Sequence, residues 1–285
     1  MDRQEEASVR MKVLSFGAGV QSTTMLIMSL EATEERLERP DCVIFADTGW
    51  EPKAVYEHLE NTKAFCDTKG MPFYIVSAGN LPEDVLRHIK DGSRVGQLAQ
   101  PPLFVSNLEG KIGTLWRQCT KEYKIDPIRI KVRELLGIQK GKRVPKDVKV
   151  EMWKGISIDE AHRMKDSRDA WIVNQYPLID MKMTRGDCVR WLKAKGYPVP
   201  GKSACIGCPF HSQKSWIEMM KNNPEEFKNV EEFDAELRLR PFPGAHGPVY
   251  VHRGMLPLRE AVEATIGDKD QGDLFGQECE GVCGV

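Results

Sequence analysis

The residues best suited to chemistry are the paired thiols of Cys205-Ile206-Gly207-Cys208-Pro209. A two-residue spacing with glycine between lets both sulfurs turn toward one metal. Four readings fit the pair: a [4Fe–4S] cluster, structural zinc, a thioredoxin-like redox couple, or unrelated buried cysteines. A complete cluster needs further thiolates. Cys279 and Cys283 near the C-terminus are candidates, with His211 as a weaker donor. The chain has eight cysteines. Cys42, Cys66 and Cys188 fall in apolar strand or helix patterns and read as core.

A second constellation is Ser15-Phe16-Gly17-Ala18-Gly19-Val20-Gln21-Ser22-Thr23. Glycines let a backbone approach a phosphate and adopt positive φ. Ser22 and Thr23 offer hydroxyls, and a helix start supplies free N–H groups and the positive end of a dipole. The spacing is neither a Walker A loop nor a full G-x-G-x-x-G fingerprint, and alone it also suits a plain tight turn. Asp47, in Asp47-Thr48-Gly49, stands where a carboxylate can bind Mg²⁺ or ribose hydroxyls, or cap a turn. The six histidines show no zincin spacing.

These residues need elements to position them. Apolar runs at 12–16, 42–46 and 73–77 read as strands. Helical patterns follow the first from Ser22 and the second from Pro52, placed as a first helical residue. Alternating strands and helices predict a doubly wound parallel α/β sheet whose ligands bind beyond the carboxyl ends of the strands. Residues 90–150 are less regular, with an amphipathic stretch at Ile128–Leu136. A strand-like WKGISI segment leads to Asp159, helices are expected near 184–196 and 212–221, and a Gly/Pro-rich tail closes the chain. The division expected is a polar extension at 1–10, a nucleotide-binding α/β domain at 11–200, and a Cys-rich region at 201–285 with the knuckle, helices and tail.

Composition narrows the function classes. Of 285 residues, 41% are hydrophobic and 29% charged, which supports a packed core. The net charge of -1 gives no global pull toward nucleic acid, although Lys140, Lys142, Arg143, Lys146 and Lys149 form a local basic segment. That segment reads as a solvated loop or a nucleic-acid contact. No apolar run reaches the roughly 20 residues of a membrane span, and the polar N-terminus lacks a signal-peptide core. A cytoplasmic protein with no membrane partner is expected.

The glycine loop resembles the PP-loop of N-type ATP pyrophosphatases, usually SGGxDS. Gly19 and Ser22 match; Gly17, Ala18 and Gln21 replace a serine, a glycine and the aspartate. Four further segments resemble the phosphoadenosine phosphosulfate (PAPS) reductase family in the same order. They are Asp47-Thr48-Gly49, Arg117-Gln118-Cys119-Thr120 with Lys124 downstream, Gly155-Ile156-Ser157-Ile158-Asp159-Glu160 with Arg163, and Tyr176-Pro177-Leu178-Ile179-Asp180.

The resemblance implies a Rossmann-like, adenine nucleotide alpha hydrolase-like fold. It places ATP or an adenine sulfonucleotide, with Mg²⁺, at Ser15, Gly17, Gly19, Gln21, Ser22, Thr23, Asp47, Thr48, Gly49 and Gly155. It gives catalytic or phosphate-binding roles to Asp47, Arg117, Lys124 and Arg163. It brings Cys119 to Cys205 and Cys208 as a cluster ligand, with Cys283 as the fourth. Cys279 matches part of the family's terminal E-C-G-x-H nucleophile segment. The implied activity is ATP-dependent sulfur transfer to tRNA or DNA, fed by a donor such as a cysteine desulfurase; a homodimer is compatible with it. The alternatives are a sulfonucleotide reductase and a metal-stabilised binding module without chemistry.

Overall fold

A computed structural model describes residues 8–31, 37–91, 100–106 and 110–266. Cys279 and Cys283 lie outside the described residues. The chain alternates strand and helix at the start: β1 (Ser8–Phe16), α1 (Val20–Leu30), β2 (Cys42–Asp47), α2 (Lys53–Thr68), β3 (Phe73–Ser77) and α3 (Leu81–Asp91). A short hairpin follows, β4 (Phe104–Ser106) and β5 (Ile112–Thr114). Next come a π-helical turn at Thr120–Ile125 and α4 (Asp126–Leu135). The chain then runs through β6 (Val148–Lys154), a 3₁₀ segment at Ile158–Arg163, β7 (Ile172–Gln175), α5 (Pro177–Asp180) and α6 (Arg185–Ala194). Beyond the knuckle lie α7 (Gln213–Asn222), α8 (Pro224–Leu237), β8 (Val249–Tyr250) and α9 (Leu258–Ile266).

The central sheet has the order β3-β2-β1-β6-β7, and every pairing in it is parallel. This is an α/β sheet compatible with a Rossmann-like arrangement. The connections run outward from β1 to β3, then return to start again at β6. The β1–β6 seam is therefore the topological switch point, where the carboxyl ends of the strands open a crevice. Alternation along the strands explains why both faces are covered. Leu14, Val43 and Phe45 pack toward α1, α2 and α6, whereas Val13, Ile44, Val150 and Met152 pack toward α4.

A third core is built around Trp216, Phe227, Phe233 and Leu237 of α7 and α8. It also takes Trp50, three residues of α3 and Leu103, so residues on both sides of position 200 share it. A second sheet, β5-β4-β8, is antiparallel. Buried Asp234 ties this region together, accepting hydrogen bonds from the Val251 and Leu258 amides and from Arg238.

Some local expectations shift. Helix α1 starts at Val20, two residues before Ser22, because Gly19 takes the extended cap conformation. Pro52 caps α2 from outside at φ -57 and ψ 149. Strand β6 ends at Lys154, so Gly155–Ile158 leave the sheet. Helices α3, α8 and α9 add to those expected. Cys42, Cys66 and Cys188 are buried core residues, as their patterns predict. Among the described residues, no helix is long and apolar enough to cross a membrane.

Candidate functional site

Strand β1 delivers Ser15 and Gly17 to the switch point, and the chain turns there into α1. The turn's left-handed residue is Ala18, at φ 56. This corrects the expectation that the glycines supply positive φ: Gly19 sits at φ -97 and ψ 177. What Gly19 supplies is space. A Cβ built on it would lie 2.9 Å from Ser203 Oγ. The Ser22 hydroxyl is spent inside the loop, accepting from Gly17 N at 3.3 Å and donating to Gly19 O at 3.2 Å. The first turn of α1 holds no acidic residue and Gly19 makes no side-chain cap. Its leading N–H groups and positive dipole end face the crevice, which Gly19, Gln21 and Ser22 line.

The crevice is an open cleft at the carboxyl ends of the first strands. Of the candidate site residues, Ser15, Gly17, Gly19, Gln21, Ser22, Gly155 and Lys124 line it. Gly155 is needed where it stands. A Cβ there would meet Ser22 N at 2.9 Å and Ser22 Cα at 3.2 Å, so β6 and α1 touch through backbone. Three charged or polar residues were not singled out from sequence: Glu51, Lys154 and Ser203 also line the cleft. Lys154 carried a signal, since it is a charge ending a buried strand of a parallel sheet. Glu51 stands two residues beyond the Asp47-Thr48-Gly49 segment. Ser203 carried none beyond standing two residues before Cys205.

Two amines and one carboxylate line the cleft. Burial pulls the Lys154 amine down from 10.5 to about 8. Burial would also lower Lys124. The Glu51 carboxylate, 3.6 Å from Lys124 Nζ, and the nearby Cys205, Cys119 and Cys208 outweigh it and hold that amine raised. Glu51 Oε1 also accepts from Thr48 Oγ1 at 2.9 Å and from the Cys205 thiol at 3.5 Å. The carboxylate thus joins the cleft to the knuckle.

Other predicted site residues serve the frame. Asp47 Oδ1 accepts from Gly49 N at 2.8 Å and Tyr56 OH at 2.9 Å, which makes it a turn cap. Gly49 occupies φ 71 in that turn, and Thr48 is buried with its hydroxyl 3.2 Å from Cys205 Sγ. Thr23 points to His58 of α2, with Oγ1 to Nε2 at 2.9 Å, because each helical residue turns about 100° from the last. None of these lines the cleft. Gln21 donates its amide to Glu160 at 3.0 Å, and Glu160 pairs with Arg163 at 2.5 Å. Arg163 therefore braces α1 from behind. Arg117 donates to Thr120 Oγ1 at 2.7 Å and its guanidinium lies over the Phe210 ring.

The knuckle is seated firmly. Ile206 N donates to Trp50 O at 2.9 Å, and Gly207 packs so closely that a Cβ would fall 1.9 Å from Trp50 Cη2. Cys119 is near enough to Cys208, and Cys208 to Cys205, for each to act on the other's thiol electrostatically. Burial pushes the Cys208 thiol up to about 11 and raises Cys119 and Cys205 as well. Burial thus works against the thiolate form at all three positions. His211 Nε2 is engaged with Cys205 O at 2.9 Å. The donor types suit iron–sulfur or zinc, with Lys124 and Arg117 as countercharges. Among the described residues, however, no group of three or more His, Cys, Asp or Glu side chains has the arrangement of a metal site.

The basic segment lies elsewhere. Lys140, Lys142, Arg143 and Lys146 are exposed in the connection entering β6, and Lys149 is tied to Ala170 O. The cleft is at the other end of that seven-residue strand, about 20 Å away at 3.3 Å per residue. Compared with known proteins, the chain matches no protein-family model and no curated protein.

Proposed function

We propose that this chain is an ATP-dependent sulfur transferase of the PAPS reductase-like, PP-loop kind, acting on a nucleic-acid acceptor. The observation that carries the reading is a convergence. The first turn of α1, Lys154 and Lys124 meet in one cleft at the switch point, and Glu51 links that cleft to Cys205. Phosphates fit the helix start and the two amines. A thiol network stands at the wall.

In the proposed reaction an acceptor oxygen attacks the α-phosphorus of ATP. The bond to the β-phosphate oxygen breaks and pyrophosphate leaves. Lys154 and the α1 amides stabilise the charge that develops on it. A sulfur nucleophile from a cysteine-based donor then displaces AMP, which departs with the acceptor's oxygen. Mg²⁺ would enter on the phosphates, with Glu51 as the cleft's own carboxylate. Among the described residues Cys119, Cys205 and Cys208 are not arranged as a metal site, and the proposed transfer uses the donor's sulfur alone.

The test is one assay on anaerobically prepared protein. ATP is supplied with tRNA or DNA, and PAPS or adenosine phosphosulfate with a thiol donor. AMP and pyrophosphate that rise with the acceptor support the transferase. Sulfite release without ATP cleavage overturns it in favour of a sulfonucleotide reductase.

A further inference from the structure

The Ser203 side chain is buried at 3% exposure, and its Oγ has no hydrogen-bond partner. A buried hydroxyl left without a partner costs free energy, so it calls for an explanation. Its position supplies one. Ser203 lines the cleft, and its Oγ faces Gly19 across the gap that the missing Cβ leaves open. The same turn presents the leading amides of α1, an eleven-residue helix with no acidic residue in its first turn. Three independent features therefore point into one volume: an unpartnered hydroxyl, unspent helix amides and the buried Lys154 amine.

We propose that Ser203 donates its hydroxyl hydrogen to an anionic phosphoryl oxygen held at the first turn of α1, closing the phosphate site from the knuckle side. This rests on the reading of the cleft as a phosphate site and adds a ligand from a segment far from the glycine loop in sequence. The hydroxyl is held in place before any anion arrives. Two residues on, Cys205 contacts Thr48 and Glu51, and Ile206 is bonded to Trp50 O. That fixed placement lowers the ordering cost of binding. It also explains why Gly19 is glycine at an ordinary φ: a methyl group there would press on Ser203 Oγ.

The experiment measures the affinities of ATP and inorganic pyrophosphate by titration calorimetry for the full chain, Ser203→Ala and Gly155→Ala. Thermal melts of each protein are recorded without ligand. Loss of one hydrogen bond to a charged oxygen predicts about ten- to hundredfold weaker binding of both probes to Ser203→Ala. The ligand-free melt should not fall, since the hydroxyl bonds to nothing in the free protein. Unchanged affinity in Ser203→Ala, with binding lost in Gly155→Ala, overturns the role of Ser203 and leaves the cleft reading standing. A lower ligand-free melt in Ser203→Ala also overturns it, by giving the hydroxyl a structural role. Failure of the unaltered protein to bind either probe, or equal binding by all three proteins, overturns the cleft reading and this proposal together.

Discussion

Lys154 is kept at a cost, and the cost can be measured. Burial is the cause that takes its amine from 10.5 to about 8. At about 1.4 kcal/mol per tenfold change in proton affinity, that drop amounts to about 3 kcal/mol against the charged form. The unfolded chain holds the proton up to pH 10.5, whereas the folded chain releases it near pH 8. Between those values the unfolded state binds more protons, so raising the pH stabilises the fold. Below pH 8 both states are charged and the full penalty applies. Lys154→Met removes the charge at similar length. It should raise stability at pH 7 by up to about 3 kcal/mol, a gain that shrinks as pH climbs from 8 toward 10.5. The assay is urea unfolding of both proteins across that range; their difference cancels the other titrating groups. The same variant should bind pyrophosphate more weakly, the usual trade at a binding site. A variant no more stable at pH 7, or a gain that ignores pH, would refute the reasoning.

Three other substitutions probe the frame. Gly155→Ala forces a methyl against the Ser22 backbone at 2.9 Å, and should cost about 1–3 kcal/mol in denaturant unfolding together with ATP affinity. Unchanged unfolding and binding would mean that the β6–α1 contact is slack. Gly207→Ala must expel Trp50, whose ring stacks edge-on to Phe233 at 4.6 Å, so it should cost about 3 kcal/mol or more and lower the thermal midpoint. A melt like that of the unaltered protein would show that the knuckle does not seat on Trp50. Gln21→Asp replaces an amide donor to Glu160 with a second carboxylate. It should destabilise by about 1–3 kcal/mol at neutral pH and recover in acid as the carboxylates protonate. Equal stability at both pH values would deny that Gln21 braces Glu160.

Much of the scaffold was legible because it follows from alternation. Val13 and Leu14, or Ile44 and Phe45, face opposite sides of a sheet covered on both, and such strands must be apolar throughout. The loop residues Ser15 to Ser22 and Gly155 were legible as a motif. Thr23 was not, because motif spacing does not tell which way a helical side chain turns. Asp47 and Thr48 were placed correctly at a strand end, but their side chains are consumed by the turn and by Cys205. Helices α3 and α8 carried readable patterns, Leu81/Val85/Ile89 and Phe227/Val230/Phe233/Leu237, each opened by a proline suited to a first turn. Lys154 was a readable charge at the end of a buried strand, whereas Glu51 and Ser203, 152 positions apart, became visible only when the topology brought them to one crevice.

Adenine nucleotide phosphates bound at the β1–α1 turn, as proposed, would shield that turn from solvent. Hydrogen exchange of the full chain with and without ATP at pH 7 should therefore slow in peptides covering residues 17–22, 154–157 and 203, with the 140–146 connection unchanged. ATP that binds while those three segments exchange as before, or that protects only the 140–146 connection, would contradict that placement.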